Sequence, residues 1–189
     1  NREHGRLHVA TTHTQARYVL PHAVAKLRSS YPKVHISLHQ ATPHEVARMV
    51  LDEQAEIGMA TESLADYPDL VTLPCYEWEH VLVVPPSHPL ATKERMVLEA
   101  IDSDVIKTYV RLGLGVGIVA EMAMREDPGV DLVARPLGHL FGQSVARVAF
   151  KRGAYLRNFV YKFAETLSDR LSRDLIIRAM QGEPSDYSL

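Results

Sequence analysis

The sequence contains a single cysteine, no excess of basic residues and no long apolar run. Cys75 has no partner for a disulfide within the chain, which favours a reducing compartment, and we expect a cytoplasmic protein. Lys and Arg number 21 against 23 Asp and Glu, for a net charge of -2, so the chain lacks the basic excess with which DNA-binding domains neutralise phosphates. No apolar stretch approaches the roughly 20 residues that cross a bilayer, and we expect no membrane contact.

The composition is that of a globular protein. With 189 residues, 46% of them hydrophobic and 23% charged, the chain is neither a disordered tail nor a fibrous repeat. It begins at Asn1 rather than at Met and has no apolar signal segment, so we expect a fragment of a longer protein or a processed product.

Hydrophobic periodicity predicts alternating strands and helices over the first 65 residues. Leu7 and Val9 indicate a strand, and an apolar stripe from Ala16 to Leu27 indicates a helix that Pro21 should bend or delay. A second strand is expected at 34–38, a helix opened by a Thr42-Pro43-His44-Glu45 capping box follows, and a third strand is expected at 56–60. Such alternation is typical of a parallel sheet covered by helices.

The second half continues the α/β pattern. A continuously apolar strand is predicted at 81–84, a helix from Ser103, and a tight turn in the glycine-rich stretch 113–117. Further expected elements are strands at 96–98, 118–119, 130–133 and 145–150 and helices that contain Phe159 to Leu167 and Leu175 to Met180.

Hydroxyl and amide side chains are concentrated in the first strand-to-helix turn, Thr11-Thr12-His13-Thr14-Gln15. A helix N-terminus offers unpaired N–H groups and suits an anion, whereas the alternative is plain N-capping by Thr12 or Thr14. Both interpretations can hold together. Thr61, followed by Glu62, ends another strand of the same predicted sheet, and ligands of open α/β sheets bind outside the carboxyl ends of strands.

The other polar clusters do not form recognised reactive motifs. Among ten histidines, His44 has Arg48 where a zinc-protease helix carries its second His, and His35 and His39 are too far apart along one strand to share an ion. No nucleophile elbow, phosphate loop or Cys-His signature is present. We therefore expect no metal, no cofactor and no enzymatic activity.

Several motifs match a known family when taken together. They are Thr11-Thr12-His13-Thr14-Gln15, Tyr31-Pro32-x-Val34, Ile57-Gly58-Met59-Ala60-Thr61-Glu62, His88-Pro89-Leu90 and Gly113-Leu114-Gly115-Val116-Gly117. Over nearly its whole length the chain resembles the effector-binding domain of LysR-type transcriptional regulators. The Thr-Thr-His-Thr-Gln turn together with Ala-Thr-Glu resembles the CysB group, which activates cysteine biosynthesis.

The resemblance implies an α/β fold of two Rossmann-like subdomains with a cleft, like a periplasmic-binding protein of type 2. Subdomain I would comprise 1–78 and 143–189, and subdomain II 79–142. The effector would be N-acetylserine, O-acetylserine or sulfate. It would be held by residues matching Thr12, Thr14, Gln15 and Thr61, with Thr11 and Glu62 beside them.

One departure from the family is large. Relatives carry several tens of residues between the positions of Arg95 and Met96, including a Gly-Phe-Thr-Gly-Arg-Ser loop that also faces the cleft. We expect that a segment is missing here from the sequence rather than from the protein, because a genuine deletion would remove a strand and a helix from the core of subdomain II.

The resemblance also implies partners. A winged helix-turn-helix upstream of Asn1 would bind promoter DNA, the protein would form homodimers or homotetramers, and the full protein would contact RNA polymerase. Two alternatives remain open: a soluble solute-binding protein for sulfate or a similar oxyanion, and an enzyme acting on acetylserine, although the latter lacks a recognisable nucleophile.

Overall fold

A computed structural model describes residues 4–86, 102–125 and 131–183. The chain divides into two compact units, of which unit 1 comprises Asn1–Glu77 with Val145–Leu189, and unit 2 comprises Trp78–Ser144. The strands are β1 Gly5–Thr11, β2 Val34–Gln40, β3 Ile57–Ala60, β4 Leu70–Val84, β5 Gly117–Ala120, β6 Val133–Pro136 and β7 Gln143–Lys151. The helices are α1 His13–Tyr18, α2 Leu20–Ser30, α3 Pro43–Leu51, α4 Ser103–Arg111, α5 Gly138–Phe141, α6 Asn158–Leu167 and α7 Arg173–Met180.

Unit 1 is built on a mixed sheet with the strand order β2-β1-β3-β7-β4. β1 pairs in parallel with β2 from Gly5 to Thr11 and with β3 from Val9 to Thr11, as the alternating pattern predicts. β7 adds to β3 in the antiparallel direction, so the sheet is not purely parallel. Leu7 and Val9 are fully buried, which fixes the register because a slip of one residue would turn them to the other face.

The first predicted helix is divided in two. α1 ends at Tyr18, and α2 begins at Leu20 with Pro21 in its first turn, where a proline costs no intrahelical hydrogen bond. The delayed start that Pro21 predicts is therefore confirmed. α2 packs against α6, and Leu27, Phe159 and Phe163 are fully buried.

The predicted capping box opens α3. The Thr42 hydroxyl accepts a hydrogen bond from the Glu45 N–H at 3.4 Å, and the Glu45 carboxylate accepts one from the Thr42 N–H at 2.8 Å. The Thr42 hydroxyl also donates to the Glu45 carboxylate at 2.8 Å. The hydrogen bonds that the carboxylate accepts from the Thr42 N–H and hydroxyl hold the pKa of Glu45 below its usual value. α3 thus starts at the residue that the sequence indicates.

Unit 2 contains an antiparallel sheet in which β4 lies between β5 and β6. The predicted apolar strand 81–84 is the end of the longer β4, and the glycine turn is confirmed by positive φ at Gly113 and Gly115. The strand predicted at 130–133 begins instead at Val133. Residues 126–130, the predicted strand 96–98 and the Arg95–Met96 junction lie outside the described residues.

The predicted elements at the end of the chain are confirmed. β7 contains the expected strand 145–150, and α6 and α7 contain the two expected apolar helical segments. None of the helices among the described residues is long and apolar enough to cross a bilayer.

Gly58 allows α3 to approach β3 closely. A Cβ at this position would lie 2.8 Å from Val50 Cγ2 and 3.0 Å from Val46 Cγ1. Alanine ordinarily stabilises a strand relative to glycine, but here we expect Gly58→Ala to lower the free energy of unfolding by about 1–3 kcal/mol through overpacking. Urea denaturation would measure the change. The control is His35→Ala, at an exposed position of β2, whose free energy of unfolding should stay within about 0.5 kcal/mol of the unmodified protein. A stabilised Gly58→Ala protein would contradict the packing described.

Candidate functional site

The carboxyl ends of β1, β2 and β3 meet at one edge of the unit 1 sheet. Thr11, the last residue of β1, pairs with Gln40 at the end of β2 and with Met59 near the end of β3. Two hydrogen bonds continue the pairing beyond the strands, from the Ala41 N–H to the Thr11 carbonyl at 2.9 Å and from the Thr12 N–H to the Met59 carbonyl at 3.3 Å. The polar residues that follow the three strands are therefore neighbours.

Thr12 occupies the N-cap position of α1 without capping it through its side chain. Its backbone is extended, and its carbonyl accepts the first helical hydrogen bond, from the Ala16 N–H at 3.0 Å. Among the described residues, no side chain accepts a hydrogen bond at this cap. Thr12 is a half-buried residue, and so is Thr14, two residues later. The structure therefore does not show the side-chain capping by Thr12 that was the alternative interpretation of this turn.

Two predicted site residues of this turn are buried and form hydrogen bonds within the protein. Thr11 is buried, and its hydroxyl donates to the Thr12 carbonyl at 3.3 Å. Gln15 is 2% exposed, and its side-chain oxygen accepts a hydrogen bond from the Tyr76 hydroxyl on β4. Thr11 and Gln15 are therefore buried supports of the turn, whereas Thr12 and Thr14 remain partly accessible.

The loop after β3 brings Thr61 to the same edge. The Thr61 hydroxyl shares a 3.0 Å hydrogen bond with the Ser63 hydroxyl, and its carbonyl accepts from the Leu64 N–H at 3.2 Å. The Glu62 carboxylate accepts from the Val145 N–H at 3.2 Å. Thr61 is thus a half-buried residue beside the turn. Glu62 connects the loop to β7 through this hydrogen bond.

Sequence reasoning missed two residues that support this edge. Gln40 contacts His13, with 3.2 Å between Gln40 Oε1 and His13 Nδ1, and the strand-end rule that selected Thr61 would have selected Gln40 also. Tyr76 comes from β4, and no sequence signal links it to Gln15, which lies 61 residues earlier.

Burial is the main cause of the pKa shifts of two side chains in the unit 1 sheet, Cys75 and Arg147. Cys75 is 1% exposed, and desolvation raises the pKa of its thiol to about 12. Arg147 on β7 pairs with Ala60 of β3, the residue that precedes Thr61, and burial lowers the pKa of its guanidinium. The hydroxyl donors at the carboxyl edge of the sheet suit an oxygen-rich anion.

The parallel register also creates a histidine pair that the sequence could not indicate. His8 Nδ1 and His39 Nε2 are 3.1 Å apart, with the rings inclined by 22°. The sequence analysis considered only His35 and His39, which lie on one strand, whereas the partner of His39 is His8 on the neighbouring strand β1. Two imidazoles supply half of the ligands of a tetrahedral zinc site, and here they are hydrogen-bonded to each other.

Removing the Tyr76 hydroxyl tests whether its hydrogen bond to Gln15 stabilises the turn. Tyr76→Phe leaves the buried Gln15 oxygen without that donor, and we expect a loss of about 1–2 kcal/mol in the free energy of unfolding. Tyr155→Phe, at a side chain that is 85% exposed, is the matched control and should be neutral. Equal stability of the two variants in chemical denaturation would refute the role of this hydrogen bond.

The Cys75 thiol should be unreactive in the folded protein. Its raised pKa keeps the thiol protonated at pH 8, and burial denies access to reagents. We expect a disulfide reagent such as dithionitrobenzoate to label one thiol per chain only in denaturant. Stoichiometric labelling of the native protein within minutes would contradict the burial.

Comparisons with known proteins identify the family. A family profile described as the LysR substrate binding domain matches residues 1–102. The transcriptional regulator CysB of Burkholderia cenocepacia is 44% identical over 99% of this chain and 71% of its own length. The regulator SsuR of the same organism is 39% identical over 91% of this chain and 68% of its own length.

A solved structure agrees with these relatives. The cofactor-binding domain of the Cbl transcriptional regulator superposes with a TM-score of 0.86 and 36% identity, covering 96% of each chain. The alignment with CysB is 223 positions long against the 189 residues of this chain, so CysB carries residues with no counterpart here. Their predicted location between Arg95 and Met96 stays a prediction. The chain belongs to the LysR substrate binding domain family, with the periplasmic-binding-protein-like α/β fold of type 2.

Proposed function

We propose that the chain is the effector-sensing domain of a transcriptional regulator of cysteine biosynthesis and sulfur assimilation. It binds N-acetylserine, O-acetylserine or sulfate at the carboxyl edge of the unit 1 sheet. The observation that carries the proposal is the Thr12 hydroxyl, which stands at this edge beside Thr61 without serving as a helix cap. The similarity to CysB, SsuR and Cbl supports the sulfur-related role.

The chemistry of the edge favours an anionic group. Thr12, Thr14 and Thr61 are half-buried residues that offer hydroxyl donors. In a partly buried site, a hydrogen bond to a charged oxygen is stronger than in bulk water. The buried Gln15 amide, oriented by Tyr76, adds a fixed polar group. A carboxylate and a sulfate both present oxygens to such donors, so N-acetylserine and sulfate would compete.

The remainder of the proposal concerns the full protein. A winged helix-turn-helix would bind promoter DNA, and the cytoplasmic protein would act as a homodimer or homotetramer together with RNA polymerase. An effector that binds one conformation of the domain better than another shifts the population between them, and this shift would reach the DNA-binding part. The matched relatives are transcriptional regulators, which favours neither an enzyme nor a solute-binding protein.

Calorimetry with N-acetylserine and, separately, sulfate tests the site. We expect both to bind the unmodified chain, and Thr12→Ala and Thr14→Ala each to weaken the affinity by about tenfold, the value of one hydrogen bond to a charged group. Thr166→Ala is the matched control, because that threonine lies on α6 and bonds to the Phe163 carbonyl at 2.6 Å.

The outcomes separate the interpretations. Unchanged affinity in both edge variants would place the effector elsewhere. Tight sulfate binding without any response to acetylserine would indicate a domain that senses the oxyanion itself. A chain that binds neither compound would refute the proposed function.

A further inference from the structure

His8 and His39 connect the strand at one edge of the unit 1 sheet to its neighbour. Among the described strands, β2 pairs with β1 alone and forms the edge. His8 Nδ1 lies 3.1 Å from His39 Nε2, and both residues are half-buried. His39 is opposite Ala10 of β1 and directly precedes Gln40, the last residue of β2. The contact between the two rings therefore lies at the carboxyl end of the edge strand.

The histidine on β1 is held on its other side as well. The His8 N–H donates to the Glu56 carboxylate at 2.8 Å, and the His8 carbonyl accepts a hydrogen bond from the Glu56 N–H at 3.0 Å. His39 belongs to a strand that is paired on one side, and an edge strand leaves part of its backbone groups without a strand partner. The bond between the rings thus joins the less supported strand to a well-supported position on β1.

A hydrogen bond between two imidazoles depends on their charge. One ring nitrogen must donate a proton and the other must accept it, so the bond can form when both rings are neutral or when one ring is charged. When both rings are protonated, every ring nitrogen is a donor, no acceptor remains, and the two positive charges repel each other. Histidine side chains ordinarily change charge between about pH 5 and 8, so mild acid is enough to change this contact.

The charged groups around the pair come from neighbouring segments of unit 1. On the same face of the sheet, Arg6 of β1 is opposite His35 of β2, and Glu56 precedes β3. The Glu56 carboxylate already accepts the His8 N–H, so cationic or protonatable groups outnumber acids here. α3 covers this face with buried apolar residues and carries its charged side chains at exposed positions; the former are Val46, Ala47 and Val50, and the latter are His44, Glu45 and Arg48.

We propose that the His8–His39 pair is a pH-sensitive contact that fixes the carboxyl end of β2 to β1 at neutral pH and releases it when both imidazoles are protonated. The inference goes beyond the proposed function and does not depend on it. Because Gln40 follows His39 and is opposite Thr11, the strand end that is released belongs to the edge where β1, β2 and β3 end together.

A double-mutant cycle of His8→Ala and His39→Ala in the full 189-residue chain measures the contact. At about pH 7.5, where both rings are ordinarily neutral, we expect a favourable coupling of about fivefold in the equilibrium constant of unfolding, the value of one neutral hydrogen bond. At about pH 5, the coupling should vanish or become unfavourable. The matched control combines His39→Ala with His22→Ala, at an exposed histidine of α2, and should show coupling within about twofold at both pH values.

Hydrogen exchange locates the effect in the chain. At about pH 7.5, His39→Ala should accelerate exchange of the β2 amides relative to the unmodified chain, while the amides of α6 keep their rates. At about pH 5, where the unmodified chain has lost the contact, the same substitution should make no difference to β2. A general loss of stability would instead accelerate exchange in β2 and α6 together.

Each contrary result overturns the inference. Absent coupling at neutral pH, or coupling of equal size at both pH values, would show that the contact is not a pH-sensitive one. Equal acceleration of exchange in β2 and α6 would refute the release of the strand end. If the unmodified chain unfolds above about pH 5, the double variant should unfold at a lower pH, and an unchanged midpoint of acid unfolding would refute the role of the pair. None of these results depends on whether the chain binds N-acetylserine.

Discussion

The parallel register of β1 with β2 and β3 is the constraint on which the candidate site depends. Because Thr11 is opposite both Gln40 and Met59, the three strands end at one level, and the Ala41 and Thr12 N–H groups extend the pairing by one residue. The register itself is held by buried side chains such as Leu7, since a slip of one residue would expose the whole apolar face. Core packing therefore determines where the polar turn lies.

The polar residues at this edge divide into supports and donors. Thr11 and Gln15 are buried and bonded within the protein, and Glu62 anchors its loop to β7. Thr12 and Thr61 are half-buried and remain partly accessible. Under the proposed function, the buried contacts would hold these threonines in position for a ligand.

Local signals predicted most of the fold, whereas contacts across strands could not be predicted. The capping box at Thr42 and the break before Pro21 depend on residues a few positions apart, so the sequence contains them completely. The Tyr76–Gln15 bond, the His8–His39 pair and the position of Arg147 opposite Ala60 depend on strand register over long separations. Thr12 and Thr61 could be selected from the sequence because each directly follows a strand.

One ordinary preference of helices is not met at this edge. The first turn of α1 lacks a side-chain hydrogen bond at its cap, although a threonine stands at the N-cap position. Such a bond contributes about 1 kcal/mol, so this helix end is less stable than one whose threonine caps it. Under the proposed function, an anionic effector would accept hydrogen bonds from the N–H groups at this end of the helix, and binding and local stability would then be linked.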